Sequence, residues 1–151
     1  MKLLFITQKV DKNDDVLGVY HRWIDGLSKH FEKISVICLQ KGQIDLPSNV
    51  SVYSLGKELI VGSRWRYAVR FLRLIWQLRH DYDRVFVHMN PEYIILGGLL
   101  WKLSGKKIAL WYAHYLSNFK LRIAVWFANR VVTSIRMAFP IPTKKLQVLH
   151  Q

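Results

Sequence analysis

Short, continuous apolar runs alternate along this chain with segments whose apolar residues recur at helical spacing, and few folds satisfy that alternation. Lys2 to Thr7 (KLLFIT) reads as a buried first strand, followed by a polar stretch from Gln8 to Asp15. From Gly18 the period changes. Val19, Tyr20, Trp23, Ile24, Leu27 and Phe31 fall on one helical face, and His21, Arg22, Asp25, Ser28 and Lys29 on the other. Lys33 to Leu39 is a second strand, and turn residues at Gly42, Pro47 and Asn49 lead into a third, Val50 to Leu55. A long helix is predicted from Ser63, a suitable N-cap, to about His80. Arg84 to Met89 is a fourth strand, and Pro91 opens a helix ending near Ser104-Gly105. Lys107 to Ala113, a helix from Phe119 to about Asn129, Arg130 to Ile135 and Leu146 to His150 complete the series.

Apolar strands separated by helices need cover on both faces, which implies a mostly parallel sheet with right-handed crossovers. The expected fold is therefore α/β, a doubly wound, Rossmann-like single domain spanning residues 1–151. Ligands of such sheets bind beyond the carboxyl ends of the strands. That directs attention to Gln8–Gly18, His88–Glu92, Ala113–Asn118 and Ser134–Phe139.

Composition narrows the class of partner. The longest uncharged apolar run, Tyr93 to Trp101, falls well short of the roughly 20 residues of a transmembrane helix. Gln8 and Lys9 interrupt the N-terminus before any signal-peptide cleavage pattern. The one cysteine, Cys38, rules out an intramolecular disulfide, suits a reducing cytosol, and sits within a strand as a core residue. Twenty-three Lys and Arg against ten Asp and Glu give a formal charge of +13. Such a surface suits a phospholipid face, a phosphate-bearing substrate or nucleic acid. No recognised nucleic-acid-binding motif accompanies the charge, so nucleic acid is not expected as a partner.

The candidate chemistry is sparse. Gly18 stands where a loop meets a helix start, so it serves either the turn or the close approach of a phosphate to backbone N–H groups. His114, just past the fifth strand, is placed as a general base or a partner of a substrate hydroxyl, or as a structural histidine. His88, Asn90 and Glu92 are weaker candidates for acceptor contacts after the fourth strand. The histidines are scattered and no metal site is expected; nor is there a G-x-G-x-x-G, a P-loop or a G-x-S-x-G elbow. On the long helix, Arg66, Arg70, Arg73, Gln77 and His80 form a basic stripe, and Trp65, Val69, Phe71, Leu72, Ile75, Trp76 and Leu78 cover the remainder. Its apolar arc is wider than one sheet-facing side needs. That pattern fits either the headgroup region of an anionic membrane or a solvated basic face.

Together these features resemble the N-terminal half of glycosyltransferase family 4 enzymes, which have the GT-B fold. Met1 to Thr7 is similar to that family's opening strand, and Gly18 to its glycine-containing first loop. Trp111 to His114 resembles its fifth strand ending in a histidine, and Arg130–Ser134 with Lys145–Gln151 the approach to its interdomain linker. The first loop departs from the pattern, with one glycine where many members have two. The resemblance implies a retaining hexosyl transfer from a nucleotide-diphosphate sugar to an acceptor hydroxyl, in polysaccharide biosynthesis at the cytoplasmic face of the membrane. Gly18 would lie beside the donor diphosphate, and His114 beside the transferred sugar or acceptor. Residues 1–151 would be the acceptor-side domain, inactive without a donor-binding C-terminal domain or partner subunit. No cofactor beyond the nucleotide-sugar co-substrate is implied. Two other readings stay open: a natural half-enzyme that recruits a donor-binding partner, and a non-catalytic basic membrane-binding or scaffolding module.

Overall fold

The computed structural model describes residues 1–59 and 62–149, and divides the chain into two compact units, Met1–Asp83 and Arg84–Gln151. The first unit holds β1 (Lys2–Val10), α1 (Gly18–Ser28), β2 (Lys33–Lys41), β3 (Val50–Ser54) and α2 (Arg64–Gln77). Its strands lie in the order β3-β2-β1, all parallel, with Leu3 opposite Ile34 and Val36 opposite Val52. The second unit holds β4 (Arg84–His88), α3 (Pro91–Leu103), β5 (Lys107–Trp111), α4 (Phe119–Phe127), β6 (Arg130–Thr133) and β7 (Leu146–Val148). Its order is β4-β5-β6-β7, again parallel throughout. The expected Rossmann-like α/β class therefore stands. Leu4, Phe5, Ile6, Ile34, Val36 and Ile37 are fully buried, as strands covered on both faces require.

The strands differ from expectation mainly at their ends. β1 continues through the polar Gln8–Val10 because Lys9 pairs with Gln40 and Val10 with Lys41. The loop after β1 is accordingly Asp11–Leu17 rather than Gln8–Leu17. β3, β4, β5 and β6 each stop one or two residues early. The last strand ends at Val148, and the expected His150 lies outside the described residues.

α1 is rotated from its expected orientation. Gly18, His21, Ile24 and Ser28 are its buried residues, whereas Tyr20, Trp23 and Leu27 are only half-buried. Burial of the two polar side chains is possible because each has a partner. The His21 Nε2 atom accepts from the Asp45 N–H at 3.1 Å, and the Ser28 hydroxyl donates to the Asp25 carbonyl at 2.6 Å.

The helices of the second unit show their sequence signals plainly. Pro91 opens α3. At its other end Gly105 takes φ +68°, its N–H donates to the Lys102 carbonyl, and the Lys106 N–H reaches the Trp101 carbonyl. That is the Schellman pattern, in which glycine supplies the left-handed residue. α4 is capped by Asn118, whose side chain accepts from the Leu121 N–H at 2.8 Å. Gly98 lets α3 and α4 approach closely, since an added Cβ would strike the Phe127 ring.

Candidate functional site

In the second unit the carboxyl ends of β4, β5 and β6 lie side by side. His88 is in register with Trp111, and Trp111 with Val132. The Met89 N–H donates to the Trp111 carbonyl at 2.8 Å, and the Tyr112 N–H to the Val132 carbonyl at 2.9 Å. Three of the four strand-end segments singled out from sequence are thus neighbours: His88–Glu92, Ala113–Asn118 and Ser134–Phe139.

The turn after β4 is strained. Met89 has φ +60°, the one positive φ of a non-glycine residue among the described residues. The Asn90 N–H closes back on the His88 carbonyl at 2.8 Å, a γ-turn of the rare hand. A non-glycine residue in this region costs about 1–3 kcal/mol, and such strain concentrates at ligand sites. Two bonds hold it: the Asn90 amide donates to the same His88 carbonyl at 3.2 Å, and the Met89 sulfur accepts from the Ala113 N–H at 3.3 Å.

The expected site residues differ in accessibility. His88 is 4% exposed, and burial pushes its pKa down to about 4, so its imidazole is neutral near pH 7. Asn90 is half-buried. Glu92 is exposed and pairs with Lys120 at 3.1 Å, a surface bridge of little energetic weight. His114 is exposed but not loose. Its Nδ1 accepts from the Leu116 N–H at 3.1 Å, which places the neutral ring's proton on Nε2. The Tyr112 hydroxyl donates to the Leu116 carbonyl at 3.0 Å, and the Tyr112 ring meets His114 edge-on at 6.5 Å. Burial raises the Tyr112 pKa, with a further contribution from Glu92, so this phenol remains a donor.

In the first unit, Gly18 is buried at the start of α1 and its N–H donates to the Asp14 carbonyl at 3.0 Å. The Asp14 carboxylate takes the next two amides, of Leu17 at 2.6 Å and Val16 at 3.0 Å. Lys9 bridges that carboxylate at 2.6 Å and Asp11 at 3.2 Å. The Lys9 bond, then the two amides, hold the Asp14 carboxyl down at about 2.

α2 sorts into three arcs of the helical wheel. Phe71 and Ile75 are buried. Trp65, Val69, Leu72 and Trp76 form an exposed apolar stripe, with the tryptophans 75% and 55% exposed. Beside it run Arg66, Arg70, Arg73 and Gln77, the floor of an open trough of about 610 Å³ walled by Trp65 and Val69 on one side and Leu74 on the other. The five residues expected to meet a membrane therefore share one accessible side. His80 does not extend the stripe, because α2 ends at Gln77. Ser63 is the N-cap residue but its side chain makes no capping bond.

One surface escaped the sequence reading. Leu96, Leu99 and Leu103 on α3 and Phe119 and Trp126 on α4 are exposed, and Lys102 lies over the Trp126 ring at 4.1 Å. Spacings of three and four in the apolar run after Pro91 carry this signal, but they cannot separate an exposed arc from a buried one. No described helix is long and apolar enough to cross a membrane, and no metal-binding cluster of His, Cys, Asp or Glu occurs among the described residues.

Neither a protein-family model nor a curated protein matches the chain in sequence. Solved structures do match in fold. Anabaena HepE in complex with UDP aligns with a TM-score of 0.60 and 16% identity, over 99% of this chain and 44% of that one. Acinetobacter baumannii MurG gives 0.59 and 14%, over 98% and 44%. The UDP-GlcNAc 2-epimerase of Methanocaldococcus jannaschii gives 0.61 and 15%, over 98% and 45%. The chain therefore spans less than half the length of these proteins, and what it shares with them is the Rossmann-like α/β fold of one part of a GT-B structure.

Proposed function

We propose that the chain is the acceptor-binding half of a retaining glycosyltransferase that moves a sugar from a nucleotide-diphosphate donor to an acceptor hydroxyl at an anionic membrane face. The observation that carries this reading is the coverage. Nearly the whole chain aligns with under half of Anabaena HepE, solved with UDP and with UDP-glucose, and of a UDP-GlcNAc 2-epimerase solved with UDP-GlcNAc. The strand-end cluster of the second unit supplies the chemistry. His114, with its proton on Nε2, donates to a hydroxyl of the transferred sugar or acceptor, while neutral His88, Asn90 and Glu92 shape the acceptor side. Gly18 meets the donor diphosphate once Asp14 yields its amides. α2 docks the domain, its tryptophans entering the interface and its arginines meeting headgroups.

The test is sugar transfer by the chain together with a donor-binding half, in one frame or in trans, across a panel of nucleotide sugars. We expect transfer that falls by at least about 10²-fold in His114→Ala. A folded His114→Ala protein working at the parental rate removes His114 from the mechanism, and no transfer with any donor overturns the reading. The UDP-GlcNAc 2-epimerases among the fold neighbours favour one rival, in which the sugar nucleotide is epimerised. Conversion of UDP-GlcNAc with no acceptor present would select it.

A further inference from the structure

α2 carries Arg64, Arg66, Arg70 and Arg73 and no acidic residue. Arg64 and Arg66 stand in its first turn, where the positive end of the helix dipole disfavours cations. Arg66, Arg70 and Arg73 follow one another at helical contact spacing, so each also repels the next. None of these three forms an ion pair or hydrogen bond with another described residue. The nearest acid is Glu58 in the preceding loop, whose carboxyl is held down, against its burial, by the Ser54 hydroxyl and backbone N–H groups and then by the Arg70 charge, with no ion pair formed. A polyatomic anion in the trough would relieve both the mutual repulsion and the clash with the dipole.

The surroundings define that anion further. Arg66 and Arg70 are one turn apart, about 6 Å along the axis, so their guanidinium forks can bracket a single group. Both also line a smaller cavity of about 180 Å³ with Leu55, Gly56 and Tyr67, just past the carboxyl end of β3. Gly56, at φ +94°, makes room for Arg70, since an added Cβ would lie 2.8 Å from its Nη1 atom. The trough walls are apolar along Trp65 and Val69 and continue into the exposed Leu72–Trp76 stripe. A cationic floor one helical row from an apolar stripe matches an amphiphile with its charge at one end.

We propose that the α2 trough is a specific site for the phosphomonoester head of a lipid, held between Arg66 and Arg70 with its apolar part along Trp65, Val69 and Trp76. This rests on the membrane-facing part of the reading above and deepens it from diffuse attraction to recognition of one group. A phosphomonoester carries more than one negative charge and three terminal oxygens, so two guanidinium forks discriminate it from a phosphodiester.

The test compares sedimentation with phosphatidylcholine vesicles containing phosphatidic acid and with vesicles matched in surface charge by phosphatidylglycerol. We expect roughly tenfold tighter binding to phosphatidic acid, and loss of that preference in the doubly substituted Arg66→Lys, Arg70→Lys protein, which keeps the net charge but not the forks. Both positions are exposed, and an unchanged thermal transition confirms folding of the variant. Equal, measurable binding to the two vesicles, a preference that survives the lysines, or no binding either to the vesicles or to dihexanoyl phosphatidic acid, overturns the proposal. A second arm titrates dihexanoyl phosphatidic acid below its micelle concentration. Arginine-dependent binding there with no vesicle binding upholds the site and sinks the membrane dock, so the two readings fail separately. Inorganic phosphate bound as tightly as the short-chain lipid overturns the assignment of a lipid.

Discussion

The most exacting test of the packing is Lys145→Met. The Lys145 ammonium donates to the carbonyls of Val125 at 2.8 Å, Trp126 at 3.1 Å and Ala128 at 2.8 Å. These carbonyls end α4 and have no partner within the helix. The same residue's carbonyl accepts from the Val131 N–H, so it ties the end of α4 to the β6–β7 pairing. Hydrogen bonds to a charged group contribute about 1.5–3 kcal/mol each, and three would sum to roughly 5–9. The sum is too large, because burial, and then Lys102, lower the Lys145 pKa, so part of the gain offsets the cost of holding the charge there. Methionine keeps the length and apolar stem but leaves three carbonyls to water, and we expect a loss of about 2–3 kcal/mol. For a chain of this size each kcal/mol lowers Tm by about 2–4 °C, so the transition should fall by about 4–12 °C. Calorimetry gives that figure, and amide exchange should speed up in the last turn of α4 but not in α3. A fall of under about 2 °C would refute the argument that Lys145 closes this helix.

Three further outcomes follow from single residues. Burial pushes the Cys38 thiol up to about 12, and its side chain is fully enclosed, so Ellman's reagent at pH 8 should label it only after denaturation; complete labelling of the folded protein within minutes would contradict that burial. Gly26→Ala, where an added Cβ meets nothing within 4 Å, should stabilise by about 0.5–1 kcal/mol, whereas Gly98→Ala should destabilise by about 1–2 kcal/mol because its Cβ strikes the Phe127 ring; chemical denaturation reads both, and equal signs would refute the packing argument. His88 falls from an unfolded pKa near 6.5 to about 4, so the folded state binds its proton less readily than the unfolded state. Its contribution is complete above pH 6.5 and is lost as pH falls toward 4, by at most roughly 3 kcal/mol for the 2.5-unit gap; a His88→Gln protein should show a flatter Tm profile across that window, and an unchanged slope would remove His88 as its source.

The order of strands and helices was legible because strands buried on both faces must be continuously apolar, and runs such as Leu3–Ile6 in β1 and Val36–Cys38 in β2 announce themselves. What stayed hidden depends on partners far along the chain. Gln8–Val10 are a strand only because Gln40 and Lys41 lie alongside, and hydropathy carries no trace of that pairing. His21 and Ser28 look like solvent-facing residues until the Asp45 N–H and the Asp25 carbonyl are seen to satisfy them. The strained turn at Met89 has no glycine or asparagine at the positive φ to mark it. Of the site, His114 was visible from its place after β5, but the bonds that orient its ring, to Leu116 and past Tyr112, were not. The arcs of α2 were readable from spacing alone; that two of them face solvent was not.

Two places in the first unit bear on the proposed anion contacts, the glycine at the start of α1 and the arginines of α2, and they differ in what an anion must displace. A helix N-terminus attracts phosphate through free N–H groups and the positive end of its dipole. At α1 both are used internally: Asp14 takes the amides of Val16 and Leu17 through its carboxylate and that of Gly18 through its carbonyl. Lys9 neutralises the carboxylate from above, and Asp11 and Asp15 add negative charge to the same loop. A phosphate approaching Gly18 must displace a carboxylate already held by a lysine and two amides. At α2 nothing on the helix need be displaced: it carries four arginines and no acid, its trough is open, and the Glu58 carboxylate that Arg70 acts on lies in the preceding loop. The positive charge of this chain is therefore not alike in its consequences: Lys9 is spent on the carboxylates of its own loop, whereas Arg66, Arg70 and Arg73 stand together on one exposed helix face.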